Sequence, residues 1–266
     1  MRISFHLLPF SRAFKRLTLK ERRLRAGFLG FHGETWGFVP VSRSHRCIFI
    51  HIPKTAGMSI MRAMRDAGVA FELDGTGLWD AFASHADNAR LLMRFRESFP
   101  LSTLRDFRQQ HMPGEVLREL LPGEAWDASF KFAFVRNPWD MLVSTYHFQR
   151  VHTAKPAHEH LHPDLHEAMR RCEDFASYVR LYPMIRSDMS SLITDARGRL
   201  LVDFVGRRER LDEDFAFICR SVGIEASLLR ENETEHAQYR EYYTDETKAI
   251  VERHFARDIE HFGYVF

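Results

Sequence analysis

Two short stretches of this chain set a cationic side chain where an apolar strand turns into a helix. The first is FIHIPKTAGMS, residues 49–59, and the second is FKFAFVRNPWDMLVSTYHF, residues 130–148. In the first, an apolar strand runs into Pro-Lys-Thr-Ala-Gly and then into a helical pattern. Small residues at a helix N-terminus aim several N–H groups at one point, and the helix dipole adds positive potential there. Gly57 is expected to let the chain approach an anion closely, and Lys54 adds a mobile charge at the loop's mouth. This is phosphate-loop chemistry without the Walker order, because Lys54 precedes the glycine instead of following it. In the second stretch Arg136 leaves the end of a strand and Ser144 lies two turns into the following helix. A guanidinium fork with a hydroxyl suits a second phosphate.

The elements that must hold these residues can be read from periodicity. Residues 46–52 (RCIFIHI), 130–135 (FKFAFV) and 200–205 (LLVDFV) are short apolar runs that read as buried strands. Met58, Ile60, Met61 and Met64 mark a helix after Gly57. Pro138 suits the first turn of another. Residues 78–122 look mainly helical, and further helices are expected at 167–181 and 211–222. The C-terminal residues 242–266 read as one long helix with Ile250, Val251, Phe255, Ile259 and Phe262 as its stripe and Thr244 as N-cap. Strands alternating with helices predict an α/β fold, a central parallel sheet with helices on both faces. Two anion sites at the carboxyl ends of neighbouring parallel strands would share the crevice where such sheets bind nucleotides.

The 266 residues, 45% hydrophobic and 28% charged, have the makeup of an ordinary globular chain with a sizeable core. No apolar run approaches the length of a membrane span. His6 and Pro9 interrupt the apolar start, and no cleavage site follows, so a signal peptide is not expected. The net charge of +2 hides an asymmetry: residues 1–25 hold eight Lys or Arg against one acid. That basic arm could touch anionic lipid or an acidic polymer, and its bland alternative is a solvated surface helix. Residues 1–45 are read as arm and lead-in, and 46–266 as one domain. Cys47, Cys172 and Cys219 are too far apart in sequence to suggest a zinc site or a disulfide framework. HEHLH at 158–162 fits H-E-x-x-H literally, but Pro156 and Pro163 flank a polar stretch without an apolar stripe, so a loop is expected instead of a zinc protease helix.

Taken together, the two stretches resemble the 5′-phosphosulfate loop and the 3′-phosphate motif of the sulfotransferases, closest to the carbohydrate-type group called sulfotransferase family 2. QQHMPGEVLRELL, DFVGRRERLDEDF, NETEHAQYREYYTDET and DIEHFGYVF resemble further segments of that family, so the likeness covers residues 46–266. It implies a P-loop-like three-layer fold. It also implies that Lys54 and the backbone of Thr55, Ala56, Gly57, Met58 and Ser59 hold a 5′-phosphosulfate, with Arg136 and Ser144 on the 3′-phosphate. His111 would be the general base. Its alternative is a structural role beside the helix that follows Pro113. Two residues depart from the pattern: Met58 replaces a threonine and Gln110 replaces a glycine. The segment 231–243, with Asn232, Thr234, His236 and Tyr239, would approach the nucleotide.

The resemblance implies transfer of a sulfuryl group from 3′-phosphoadenosine 5′-phosphosulfate (PAPS) to an acceptor hydroxyl, releasing adenosine 3′,5′-bisphosphate (PAP) without a metal. A sugar or glycan is the expected acceptor, with no nucleic acid as partner. A cytoplasmic enzyme is expected, with the basic arm suited to the inner membrane face. Two other readings stay open: a P-loop kinase of a small molecule, and an inactive binding module for acidic glycans.

Overall fold

The computed structural model describes residues 41–71, 85–87, 90–91, 93–94, 111–154, 163–185, 188–228 and 238–266. All of them belong to one compact unit over residues 37–266. The basic arm, Gln110, residues 158–162 and residues 231–237 lie outside the described residues, as does most of 78–110.

Among the described residues four strands form one sheet in the order β1 (Val41–Ser42), β2 (Cys47–Phe49), β3 (Phe130–Val135), β4 (Phe204–Arg207). Strands β2, β3 and β4 are parallel, whereas β1 pairs antiparallel with β2. The sheet is therefore mixed, not wholly parallel as expected. The short turn at residues 43–46, with Arg46 at φ 45°, folds β1 back along β2.

Helices pack on both faces, because side chains alternate along each strand. Cys47, Phe49, Phe132 and Phe134 point to one face, where α1 (Gly57–Asp66) brings Ile60, Met61 and Met64. On the same face α8 (Leu211–Val222) brings Phe215 and Ile218. Ile48, Ala133 and Val135 point to the other, against α2 (Gly114–Leu120), α4 (Pro138–Thr153), α6 (Phe175–Ile185) and α9 (Asp245–His254). Short helices α3 (Gly123–Asp127), α5 (Pro163–Arg170), α7 (Ser190–Ile193) and α10 (Ala256–Phe262) complete the chain. The three free cysteines are all buried, and burial pushes the Cys47 thiol up to about 12.

Three elements differ from the sequence expectation. The third strand starts at Phe204 instead of Leu200, because Leu200 and Leu201 pair back on Thr194 and Ile193. The helix expected at 167–181 is two helices. The second opens on Asp174, whose carboxylate accepts from the Ser177 amide at 2.8 Å. The last helix also divides: Phe255 leaves the helical region at φ −103°, ψ 23°, with its ring buried. Thr244 does cap α9, in a reciprocal capping box with Thr247.

Candidate functional site

The loop of the first motif joins β2 to α1. Lys54 and Ala56 both sit in the left-handed region, at φ 69° and 70°, although neither is glycine. Each costs about 1–2 kcal/mol relative to ordinary backbone. Burial of Ile60, Met61 and Met64 outweighs this, at roughly 1.5–3 kcal/mol per side chain. Strain held by surrounding packing is characteristic of ligand-binding turns. The Thr55 hydroxyl donates to the Ile52 carbonyl at 2.8 Å and is buried, so Thr55 can offer a ligand only its backbone.

No side chain caps α1 among the described residues. Its first intrahelical bond runs from the Ile60 amide to the Ala56 carbonyl, 3.1 Å. The amides of Gly57, Met58 and Ser59 precede that bond and face out of the helix N-terminus. Met58 is 37% exposed, which places its side chain at the rim of the loop.

Gly57 has a reason to be glycine that its sequence context did not suggest. A Cβ built on it would lie 1.8 Å from Nε2 of His51 and 2.0 Å from Cδ2 of the same ring. The absent side chain makes room for the His51 ring.

The second motif meets the first directly. Arg136 leaves β3 and donates through Nη1 to the Lys54 carbonyl at 3.1 Å. Through Nε it donates to Asp140 Oδ2 at 2.7 Å. The ammonium of Lys54 lies 4.4 Å from the centre of the Phe148 ring, a cation–π contact. Asp140, Ser144 and Phe148 are spaced i, i+4, i+8 along α4 and so form one stripe. Its two ends touch Arg136 and Lys54, which puts the buried Ser144 on the face of α4 turned toward the loop. Asn137 braces this corner: its amide donates to Glu209 Oε1 at 2.6 Å and its side chain to the Val265 carbonyl at 2.9 Å. Glu209 also accepts from the Tyr264 hydroxyl at 3.3 Å. Glu209 thus has a task that the sequence alone did not show.

His111 lies at the same edge. Its Nδ1 is 2.9 Å from the His51 carbonyl oxygen, and the two imidazole rings are 4.3 Å apart. A carbonyl can only accept, so Nδ1 carries a proton, and in the neutral ring Nε2 then holds the lone pair. That tautomer is the one a base acting through Nε2 requires.

Of the residues singled out from sequence, Lys54, the turn 55–59, Arg136, Ser144 and His111 therefore come together around the exits of β2 and β3. Sequence reading missed His51, Asp140, Phe148 and Glu209. The first had a signal in plain view, since Phe49 and His51 alternate on one strand face. Among the described residues no cluster of His, Cys, Asp or Glu is placed to hold a metal ion. None of the described helices is long and apolar enough to cross a membrane.

A model of the sulfotransferase family matches residues 39–265. The chain belongs to the sulfotransferase family. Its coarse assignment is thus a transferase of sulfuryl groups, on a mixed α/β fold with a four-stranded sheet flanked by helices. No curated protein and no solved structure matches the chain.

Proposed function

We propose that this sulfotransferase draws its sulfuryl group from PAPS and delivers it to an acceptor hydroxyl, with sugars as the favoured acceptor class. The observation that carries the reading is the bond from Arg136 to the Lys54 carbonyl, which joins the two anion-binding motifs into one cradle. Two anionic ends on one nucleotide, a 5′-phosphosulfate and a 3′-phosphate, fit that pairing of motifs. The outward amides of Gly57, Met58 and Ser59 suit the first end, and Arg136 with Ser144 suits the second. We place the whole reaction in a single domain from residue 46 onward, with a P-loop-like arrangement of the nucleotide crevice.

In this reading His111 accepts the acceptor's proton at Nε2 while the acceptor oxygen bonds to sulfur. The bond from sulfur to the 5′-phosphate oxygen breaks, and its electron pair stays on the departing bisphosphate. Lys54 and the loop amides meet the charge that builds there. Transfer of this kind asks for in-line positioning and electrostatic stabilisation more than for covalent chemistry.

The test compares PAP with ATP. PAP raises the melting temperature through mass action on the native state, and ATP, lacking a 3′-phosphate, raises it less. Label then passes from PAPS to members of a sugar panel in the presence of EDTA. Equal stabilisation by the two nucleotides, with transfer that needs magnesium, would return the site to a kinase.

A further inference from the structure

The ring of His51 touches both halves of the proposed chemistry. It is 3% exposed and stacks on Phe49, with centroids 5.2 Å apart and planes 22° apart. Phe49 stacks in turn on Phe132, at 4.9 Å and 10°. The row of rings ends at His111, 4.3 Å from His51 and tilted by 51°. On another side the His51 ring occupies the space that a side chain at Gly57 would fill, 1.8 Å from the ideal Cβ position. Gly57 opens α1 with backbone that any L-residue adopts, so the ring alone is what demands glycine there. The main-chain carbonyl of His51 accepts the Nδ1 proton of His111 at 2.9 Å.

We propose that His51 is a positioning residue, a rigid strut that keys His111 to the anion-binding loop. The proposal rests on the sulfotransferase reading of the site. Residue 51 sets the tautomer of His111 through its carbonyl. Its ring, pinned between Phe49, His111 and Gly57, sets how far the base stands from the first turn of α1. The proton acceptor and the amides that meet leaving-group charge are thereby held in one register. Misplacement by about 1 Å can cost a hundredfold in rate, even when binding is intact. Close packing transmits such shifts, because an interior without voids cannot absorb them.

The experiment is a double-mutant cycle on His51 and Gly57, read as kcat at saturating PAPS and as PAP affinity by calorimetry. His51→Ala lowers kcat tenfold to a hundredfold while PAP affinity stays within about threefold, since the phosphate contacts lie elsewhere. Gly57→Ala alone drives a methyl into the ring and lowers kcat comparably. In the His51→Ala background the same Gly57→Ala change costs less than about twofold, because the ring it struck is gone. His51→Val, which puts β-branched bulk suited to extended backbone at the strand exit and removes the ring, replaces His51→Ala if the latter melts below the assay temperature. Wild-type kcat in the ring-free variant overturns the proposal. So does a Gly57→Ala penalty equal in both backgrounds. A wild-type enzyme that neither binds PAP nor transfers sulfuryl groups sinks the parent reading instead, so the two failures are distinguishable.

Discussion

Arg136 donates through Nη1 to the carbonyl oxygen of Lys54, 3.1 Å away and eighty-two residues earlier in the chain. This bond gives Arg136 two tasks. It can present its remaining donors to a phosphate, and it holds the carbonyl of a residue strained into left-handed backbone. Its side chain is 11% exposed and is also paired with Asp140.

Arg136→Ala therefore weakens the donor and also slows turnover. Losing a charge-assisted hydrogen bond costs about 1.5–3 kcal/mol of affinity, roughly a tenfold to hundredfold rise in the PAP dissociation constant. The unbraced Lys54 then lowers kcat as well. Arg136→Lys does not rescue, because a point ammonium cannot serve Asp140, the carbonyl and a phosphate in one plane. Calorimetry with PAP beside steady-state kinetics checks both effects, and unchanged affinity would show that the second motif holds no phosphate.

Lys54→Ala behaves differently. The charge proposed for Lys54 acts on a leaving group whose own charge develops only in the transition state, which ground-state binding barely samples. Turnover falls by about a hundredfold or more, while PAP affinity stays within a few-fold. An intact kcat with a raised KM would contradict that role.

The parts of the site that were legible in sequence are those punctuated by backbone chemistry. Pro53 and Gly57 bound the first turn, Pro138 starts α4 and Thr244 caps α9, each with a local physical reason. What stayed hidden depends on side chains far apart in sequence. Gly57 reads as an anion contact, and only the position of the His51 ring adds a packing reason for glycine there. Glu209 sits in an Arg-rich run with no sign that it would hold Asn137 and Tyr264. The break at Phe255 was invisible because the apolar stripe continues through it. Residues on both sides bury toward the same core. Val41–Ser42 was too short a segment to carry a strand signal by itself, and its pairing is imposed by the turn that follows.

The break at Phe255 has a thermodynamic consequence, since it lets α10 bring Asp258 to the start of α7. There the carboxylate accepts from the Met189 amide at 2.7 Å, from the Ser190 amide at 2.8 Å and from the Ser190 hydroxyl. Burial nonetheless dominates and pushes Asp258 up to about 6, from a usual aspartate value of about 4. The folded protein thus holds this proton more tightly than the unfolded chain does. The stability it contributes is full below pH about 4 and is lost as pH rises through about 6. Asp258→Asn removes that dependence, so the stability gap between wild type and variant is wider at pH 4.5 than at pH 7.5. The expected change is on the order of 2–3 kcal/mol. Urea denaturation at the two pH values measures it, and a gap that does not vary with pH would show that Asp258 is ionised throughout.

His111 offers the sharpest division between chemistry and scaffolding. If Nε2 takes the acceptor's proton, His111→Ala folds and binds PAP as wild type does, because Arg136, Ser144 and the α1 amides are untouched. Turnover falls by roughly a hundredfold to ten-thousandfold, the usual share of a general base. The pH–rate profile supplies a second readout. Wild-type kcat declines on the acidic side, where a protonated imidazole has no lone pair to offer, and that limb is absent from the residual rate of His111→Ala. His111→Gln separates the two contributions of the ring. Its amide can still donate to the His51 carbonyl, as Nδ1 does at 2.9 Å, but it cannot take a proton near neutral pH. A glutamine variant as slow as the alanine variant, with PAP binding intact, makes His111 the base. One that recovers most of the wild-type rate makes the bond to His51 the whole of its function, and the proton must then leave by another group.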